Sequence, residues 1–373
     1  EWRPFAGRNS PATDRERFLK HVPVNALNGK RRKAAPTVPV PARLAQPAAE
    51  KTSTQEAFGR ILFELAGSDK ALADRIVTAS PDVTQSTGLS GWVNRRGLFA
   101  RDDVADTFKD QGVVSAQKWG ANDTGQHFEL GIAENNLFLM LGALGLAHEL
   151  FGERLLPIGT VYDPFIERGL DALNYACYQD ARFMLVATPS GLSLAPEGGA
   201  HQSIATPLIG IGQPGLTSFE PAYADELREI MRWGFGHMQD PDGGAVYLRL
   251  STLALDQPKR RMTKTFRRDL LAGAYWREKP GKKGAIIYSG ALAEEAKQAH
   301  ERLGKNADGN AVGLLAVTSA DRLYRDWRAN GGKSHIAKLL SGLGSNARLG
   351  TVLDGHPAAV AWIRVPDEHM KSY

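Results

Sequence analysis

The amino-acid sequence predicts an α/β protein of two doubly wound domains with mainly parallel sheets. Short buried strand patterns alternate with helical patterns from about residue 52 to residue 258. Such alternation is typical of a parallel sheet with helices on both faces. The pattern restarts at Lys282, which indicates a second unit of the same kind. The 39 glycines recur at the ends of these segments, as expected of a fold with many tight connections.

The elements of the larger unit follow one another along the chain. A helix is predicted from about Thr52, capped by Ser53 or Thr54, because apolar residues recur at helical spacing after it. Residues 85–125 are polar and rich in glycine, which predicts a long irregular excursion. The other predicted segments are a strand at 76–80, a short apolar segment at 128–130, a helix at 132–150, a strand at 155–160, a helix at 165–179, a strand at 183–187, a glycine-rich loop at 194–202, a helix at 222–238 and a strand at 246–250.

Three parts of the chain are predicted from these patterns. Residues 1–50 form a tail and an extended, proline-rich linker. Residues 51–258 form the larger α/β domain. Residues 259–373 form a smaller α/β domain, with strands at 284–289 and 312–317, a helix at 292–303 and a strand-turn at 353–356. We expect this second domain to be truncated.

Composition and charge exclude several classes of protein. The 373 residues include 42% hydrophobic and 23% charged residues, the balance of a globular chain with a sizeable core. No apolar run approaches the roughly 20 residues that cross a bilayer, so no membrane partner is predicted. The net charge of +5 comes partly from short clusters in predicted linkers, which favours a solvated surface over a nucleic-acid interface. The single cysteine, Cys177, excludes an intrachain disulfide and favours a reducing, cytoplasmic setting.

Glu134 and His201 are the first candidate functional residues. Glu134 begins the helix predicted at 132–150, which is apolar nearly all round and is therefore expected to be buried in a core or between subunits. A carboxylate there needs a partner or a proton, although a plain helix-capping role is also compatible with its position. His201 follows two glycines in a loop that can approach a ligand closely, but a solvated loop histidine is the ordinary alternative.

Two aromatic residues form a further candidate. Tyr162 and Phe165 flank Pro164 in a predicted strand-to-helix loop. Aromatic side chains at such a position can stack on a flat ring, or they can simply pack in the core. Neither reading is decided by the residues themselves.

Taken in order, these segments resemble the pyrimidine-binding domain of transketolase-like thiamine-diphosphate enzymes. The resemblance rests on Gly-Ile-Ala-Glu at 131–134, Gly-Thr-Val-Tyr-Asp-Pro-Phe at 159–165 and Pro-Glu-Gly-Gly-Ala-His-Gln-Ser at 196–203, and Ser-Pro-Asp-Val-Thr at 80–84 resembles the segment that precedes them. It runs from about Thr52 to Leu255 and extends more faintly to Val317–Ser319. It implies a thiamine-diphosphate-binding pyrimidine domain followed by a transketolase C-terminal-like domain.

The resemblance implies a role for each candidate residue. Glu134 would hydrogen-bond the aminopyrimidine ring of thiamine diphosphate and share a proton with its ring nitrogen. Tyr162 and Phe165 would border or stack on that ring, and Asp82 would lie near the cofactor. His201 would contact oxygens of the substrate. Glu197 matches a substrate position that is often aspartate in transketolases, which disfavours recognition of a sugar phosphate.

Within this family the sequence is more similar to the homodimeric decarboxylating component of bacterial pyruvate dehydrogenase. The evidence is the polar segment at 85–126, Leu-Ser-Gly-Trp at 89–92, and Ala-Glu-Asn at 133–135 where transketolases usually have Arg-Glu-His. The resemblance implies oxidative decarboxylation of pyruvate or 2-oxobutyrate, with transfer of the acyl group to a lipoyl-bearing acyltransferase. Ketol transfer between sugar phosphates, and a non-catalytic remnant module, remain as alternatives.

The resemblance also implies a magnesium ion that holds the diphosphate through a Gly-Asp-Gly motif. This motif is absent from the sequence, and neither Asp242-Gly243-Gly244 nor Asp354-Gly355-His356 fits it. We therefore expect no metal ligand in this chain, and we interpret the chain as a fragment without the diphosphate domain. Alone it should bind the cofactor poorly and be inactive, and the enzyme should be a homodimer.

Overall fold

The computed structural model describes residues 11–22, 35–45, 48–102, 110–114, 118–194, 198–279, 282–304 and 312–363. It confirms the predicted fold class, since two mainly parallel sheets are each accompanied by helices. A third, two-stranded sheet pairs β1 (Lys51–Thr52) with β10 (Leu255–Asp256) in antiparallel orientation. Within these residues no helix is both long and apolar enough to cross a membrane.

The larger sheet has eight strands in the order β4-β3-β5-β2-β6-β7-β9-β8. All of its neighbouring pairs are parallel, so every strand ends at the same edge of the sheet. The strands are β2 Ile76–Ser80, β3 Leu98–Phe99, β4 Ala121–Asn122, β5 His127–Glu129, β6 Leu156–Val161, β7 Met184–Ala187, β8 Leu216–Phe219 and β9 Ala245–Arg249, and the small pair is β1 Lys51–Thr52 and β10 Leu255–Asp256.

Helices cover both faces of this sheet, and the side-chain period of a strand divides the core between them. In β7, Met184 and Val186 pack with the apolar faces of α2 (Thr54–Ser68) and α9 (Ala224–His237). Leu185 and Ala187 pack with those of α5 (Glu134–Gly145) and α7 (Leu170–Tyr178) on the other face. The helices of this part of the chain are α1 Ala12–His21, α2 Thr54–Ser68, α3 Lys70–Ala73, α4 Ser90–Arg96, α5 Glu134–Gly145, α6 Ala147–Leu150, α7 Leu170–Tyr178, α8 Thr206–Gly212 and α9 Ala224–His237.

The smaller sheet has the order β11-β13-β12-β14. Its last three strands are parallel, and β11 is an antiparallel edge strand beside β13. The elements are α10 Lys264–Ala272, β11 Ala274–Glu278, β12 Gly284–Ser289, α11 Ala293–Gly304, β13 Val312–Val317, α12 Ala320–Asn330, α13 His335–Leu340 and β14 Arg348–Val352.

An ion network centred on Arg260 fastens the two parts of the chain together. Arg260 donates to both carboxylate oxygens of Asp225, at 2.7 and 2.8 Å, and to Glu226 at 2.9 Å. A further N–H of the same guanidinium donates to the hydroxyl of Tyr275 at 2.7 Å. Tyr275 lies on β11, and both acids lie in the first turn of α9. The network therefore joins a strand of the smaller sheet to a helix that packs on the larger sheet.

Several elements differ from the sequence prediction. The predicted tail contains α1, and the stretch predicted to be irregular contains α4, β3 and β4. Helix α2 begins as predicted, because the Ser53 hydroxyl accepts a hydrogen bond from the backbone N–H of Glu56 at 3.0 Å.

In a single chain, the helix predicted at 132–150 is buried on one side only. It ends at Gly145, and the short helix α6 follows it. Leu139 is 56% exposed, and Ile132, just before the helix, is 79% exposed. The neighbouring helix α7 exposes Tyr175 and Tyr178, so both helices present apolar or aromatic side chains to solvent, which together are called the exposed apolar face.

The opposite side of α7 contributes Cys177 to the core. This thiol is buried, and burial raises its pKa to about 12. It therefore packs as a small apolar side chain.

Candidate functional site

The candidate residues come from the ends of four neighbouring strands. Strands β5, β2, β6 and β7 lie side by side, and the chain leaves each of them at the same edge of the sheet. Asp82 follows β2, Glu134 follows β5, Tyr162 follows β6 and the loop to His201 follows β7. In open α/β sheets, ligands bind outside the carboxyl ends of the strands, which makes this edge the expected position of a site.

Glu134 is the first residue of α5 and is largely buried. Its side chain is 9% exposed, and its Oε1 accepts a hydrogen bond from Arg168 Nη1 at 2.7 Å. The partner that a buried carboxylate requires is therefore Arg168, which the sequence did not point to. Among the described residues no donor is bonded to Oε2, so this oxygen can accept a hydrogen bond from a ligand.

The aromatic candidates form a cluster with His201. The ring centroids of Tyr162 and His201 are 5.0 Å apart in an edge-to-face arrangement, and those of Phe165 and His201 are 5.7 Å apart. The guanidinium carbon of Arg168 lies 3.8 Å from the centre of the Phe165 ring. Arg168 therefore connects Glu134 to the aromatic cluster, and the structure brings four of the predicted residues into one contiguous group.

A glycine makes this proximity possible. The 3-10 segment Asp163–Gly169 lies directly against helix α5. A Cβ atom at Gly169 would come within 2.3 Å of the Phe138 ring. Only glycine permits this close approach, which positions Arg168 beside Glu134.

Asp82 lies at the same edge but is exposed to solvent. It has a positive φ of 63°, and its backbone N–H donates to Glu129 Oε1 at 2.7 Å. Its loop reaches the aromatic cluster through Ser86, whose hydroxyl accepts from the Tyr162 hydroxyl at 2.7 Å. The structure thus places Asp82 near the group without a direct contact to Glu134 or His201. Glu197 lies outside the described residues.

A buried polar chain supports the Asp82 loop. His127 is fully buried, with Thr78 2.8 Å from one ring nitrogen and Thr84 2.8 Å from the other. Thr84 in turn donates to Glu129 at 2.6 Å. Burial alone would raise the pKa of Glu129, but hydrogen bonds from His127, Thr84 and the Asp82 backbone lower it below the usual value. Glu129 is therefore an ionised anchor for this loop at neutral pH.

Asp163 is a buried functional candidate that the sequence reasoning missed. Its carboxylate accepts from the hydroxyls of Ser203, Thr206 (2.6 Å) and Tyr247 (2.8 Å), and from Arg249 Nε at 3.0 Å. Burial alone would lower the pKa of the Arg249 guanidinium, but the surrounding acids raise it above its usual value. The network fixes Ser203, two residues after His201. The only sequence signal was an acidic residue in an apolar segment, Val161–Phe165.

The smaller unit contributes Asp354 to the same loop. This buried carboxylate accepts from the backbone N–H groups of Leu192 (2.7 Å) and Ser193 (3.2 Å) and from the Ser193 hydroxyl (2.6 Å). A Cβ atom at Gly191, whose φ is +79°, would lie 2.0 Å from Asp354 Oδ2. The backbone N–H of His356 donates to Ile204 at 2.8 Å, so residues after β14 hold both ends of the His201 loop.

The described residues offer no obvious metal centre, since no group of three or more His, Cys, Asp or Glu side chains there could hold an ion. What they do offer is a shielded carboxylate oxygen, two aromatic rings and an imidazole. Such a set fits a flat, nitrogen-containing ring that donates a hydrogen bond.

Solved structures define the class of this fold. A transketolase from Leishmania mexicana superposes with a TM-score of 0.64 at 18% identity, over 85% of this chain and 41% of that one. A chain described as "Split gene transketolase, inactive beta4 tetramer" superposes with a TM-score of 0.52 at 21% identity, over 84% of each chain. The protein is an α/β protein with the fold of transketolases.

Sequence comparison narrows the class to one family. Residues 43–255 match the family model "Pyruvate dehydrogenase E1 component middle domain". The pyruvate dehydrogenase E1 component of Mycolicibacterium smegmatis is 29% identical over 266 residues, which are 69% of this chain and 28% of that protein. The chain belongs to the pyruvate dehydrogenase E1 family through its middle domain, and it spans less than a third of the length of that relative.

Proposed function

We propose that this chain is the pyrimidine-binding half of a thiamine-diphosphate enzyme that oxidatively decarboxylates a 2-oxo acid. The observation that carries the proposal is the buried carboxylate of Glu134, which is joined through Arg168 to Phe165, Tyr162 and His201. The membership of the pyruvate dehydrogenase E1 family supports this reaction class. The substrate is pyruvate or 2-oxobutyrate.

Each residue of the group has a role in binding the aminopyrimidine ring. Oε2 of Glu134 would share a proton with the ring nitrogen, while Arg168 compensates the charge of the carboxylate and holds its orientation. Tyr162 and Phe165 border the flat ring. The chemistry that bound thiamine diphosphate supplies is a carbon nucleophile and an electron sink for decarboxylation.

His201 has the substrate role in this proposal, and the family resemblance gives Glu197 the same role. The His201 imidazole contacts both aromatic rings, so its orientation is set from two directions. A histidine in this position can donate a hydrogen bond to a substrate oxygen or exchange a proton with it. Asp82 borders the cofactor from the β2 end of the sheet.

The diphosphate and its magnesium ion are held by a domain or chain that carries the missing Gly-Asp-Gly motif. The absence of the motif from this sequence supports the proposal. Residues 51–258 and 259–373 would then be the pyrimidine and C-terminal domains.

The proposed enzyme is a homodimer of such assemblies that works in the cytoplasm with a lipoyl-bearing acyltransferase. The exposed apolar face of α5 and α7 supports an interface there, because Ile132, Leu139, Tyr175 and Tyr178 are each more than half exposed. Ketol transfer between sugar phosphates is the second candidate, since the fold is shared with transketolases. Glu197 in place of the usual aspartate favours the oxo-acid reaction.

Substitution of Glu134 tests the proposal in the assembled enzyme, with the Gly-Asp-Gly-bearing domain present. Glu134→Gln should lower kcat with pyruvate and a redox dye by about 100-fold to 10,000-fold, because proton exchange with the ring fails. Glu167→Gln is the matched control, because Glu167 is an exposed glutamate next to Arg168 in the segment Asp163–Gly169. Unchanged activity in Glu134→Gln would favour the non-catalytic module. Activity with a sugar-phosphate pair, but none with a 2-oxo acid, would favour the ketol transferase.

Binding of the cofactor to the chain alone is a separate test. Isothermal titration with thiamine diphosphate and Mg²⁺ should give only weak binding, because the diphosphate ligands come from elsewhere. Tight binding by this chain would contradict the proposal that the groups that bind the diphosphate lie outside this sequence. The upstream and downstream coding sequences can be searched directly for Gly-Asp-Gly.

A further inference from the structure

We propose that the smaller unit carries a second site, which binds a small molecule with phosphate groups. The site is a cleft of about 940 Å³ between α10, α12 and α13. Its volume lies in the range of small-molecule sites, about 300–1,000 Å³. The cleft reaches the larger sheet only at Thr217 on the edge strand β8, so it is separate from the candidate site beside β5, β2, β6 and β7.

Basic side chains from every surrounding element line this cleft. They are Arg268 from α10, Arg322 and Arg325 from α12, and Lys333, His335 and Lys338 from the following turn and α13. Two acids also line it, and both are engaged. Asp269 contacts Arg268 at 2.9 Å, and the oxygens of Asp326 accept from the Asn330 amide at 2.7 Å and the His335 backbone N–H at 2.5 Å.

Pairing of these charges leaves an excess of cations. Arg325 contacts Asp321 at 2.7 Å, so this arginine is also compensated. In the part of the chain that the structure describes, no carboxylate pairs with Arg322, Lys333 or Lys338. Asp326, whose partners are neutral donors, offsets one of these three charges, and the remaining excess of two positive charges fits a ligand with two negative charges.

Arg322 is a half-buried cation of this cleft. Its Nε is buried and has no hydrogen-bond acceptor among the described residues. Its guanidinium carbon lies 4.8 Å from the centre of the Trp233 ring, and burial lowers its pKa. Arg249 and Arg260, which are also well buried, each contact two carboxylates. The Nε atom is closed to solvent, whereas the two Nη groups are not buried and donate to no acceptor among the described residues, so an anion in the cleft can bond to them.

The chemistry of the lining favours phosphate over other anions. Arginine presents several N–H donors in a planar fork that matches phosphate oxygens, and lysine ammonium groups add charge around them. The cleft is larger than a phosphate group requires, and Leu339 and Ala272 provide an apolar wall for an organic part. A sugar phosphate or a nucleotide has the size and chemistry to fill it.

Titration of the chain with pyrophosphate at constant ionic strength tests this site. We expect saturable binding of one ion per chain by calorimetry. Lys333→Gln/Lys338→Gln, at two exposed positions, should weaken the Kd about tenfold or more, and Arg322→Gln should do the same. The control is Lys282→Gln/Lys283→Gln, which removes two exposed lysines of the same unit outside the cleft.

Each contrary result overturns the proposal. Equal weakening by the control pair would mean that pyrophosphate senses only the net charge of the chain. If neither the parent chain nor any variant binds pyrophosphate saturably, a phosphate site is excluded. Binding of an acidic peptide, without any binding of pyrophosphate or adenosine monophosphate, would assign the cleft to a protein partner. If Arg322→Gln lowers Tm strongly, the exposed lysine pair alone decides the question.

Discussion

Replacing Asp354 by alanine should loosen the loop that carries His201 while both sheets stay folded. The carboxylate accepts from two backbone N–H groups and one hydroxyl of Leu192 and Ser193, and the residue is only 4% exposed. Alanine removes all three acceptor contacts. The loop is then held by the bond from the Ser203 N–H to the Gly191 carbonyl, by the bond from Ser203 to Asp163 and by the bond from His356.

The size of the effect follows from the donors left behind. A buried N–H without an acceptor costs about 1–3 kcal/mol, so two of them cost roughly 2–4 kcal/mol once partial access of water is allowed. This cost destabilises the closed loop, so it lowers the free energy of local opening by the same amount. Amide exchange at Leu192 and Ser193 should therefore accelerate by roughly 1.5 to 3 powers of ten. Asp354→Asn keeps one acceptor oxygen and should show a smaller effect.

Hydrogen exchange resolved to residues 190–204 is the deciding assay. Asp123→Ala, a change at an exposed aspartate far along the chain from this loop, should leave the exchange of these amides unchanged. Gly191→Ala disturbs the same contact between Asp354 and the loop without changing Asp354, because the added Cβ would collide with Asp354 Oδ2. If Asp354→Ala lowers global stability but leaves exchange at Leu192 and Ser193 no faster than elsewhere, the carboxylate does not hold the loop. In the assembled enzyme, the loosened loop should lower kcat.

Three further predictions concern buried charges. Asp163→Asn should destabilise the chain by about 3–5 kcal/mol in urea unfolding, because Arg249 keeps its charge and loses a buried partner; a loss below about 1 kcal/mol would show that Glu220 alone compensates it. Burial lowers the pKa of His237 from 6.5 to about 4, so the folded state is favoured above pH 6.5 and loses about 1–3 kcal/mol as the pH falls to 4. His237→Gln should flatten the dependence of the unfolding free energy on pH in that window. Burial raises the pKa of Asp321 to about 6, so this residue contributes with the opposite sign. Its contribution is the same in the parent and the variant, and subtracting one profile from the other removes it. Arg260→Met should separate the unfolding of the two units in calorimetry, and a single unchanged transition would contradict the role of this network.

The elements that the sequence predicted well are those with both a clear apolar pattern and a recognisable end or cap. The strand predicted at 76–80 is β2, residue for residue, since a buried apolar run ends there at Pro81. Helix α2 was found through its apolar spacing and its Ser53 cap. Strand β11 was missed because it is an antiparallel edge strand that ends in two charged residues, so it lacks the apolar run of a central strand.

The candidate site was predictable only as far as single segments carry information. Glu134 and His201 are visible as polar residues beside glycines or apolar runs. Their supports are not, because Arg249 lies 86 residues from Asp163, and Asp354 lies 162 residues from Leu192. Contacts between such distant residues depend on the order of strands in the sheet, which the local pattern of one sequence does not contain. The resemblance to a family supplied the position of the site but not these supports.

The closed environment of Cys177 has a practical consequence. Because the sequence contains one cysteine, a thiol reagent has a single target in the whole chain. The thiol is buried beneath α7 and stays protonated at neutral pH, so alkylation requires the helix to separate from the sheet. The rate of modification then measures how often the helix that exposes Tyr175 and Tyr178 opens. Any partner that covers those two rings should slow this reaction.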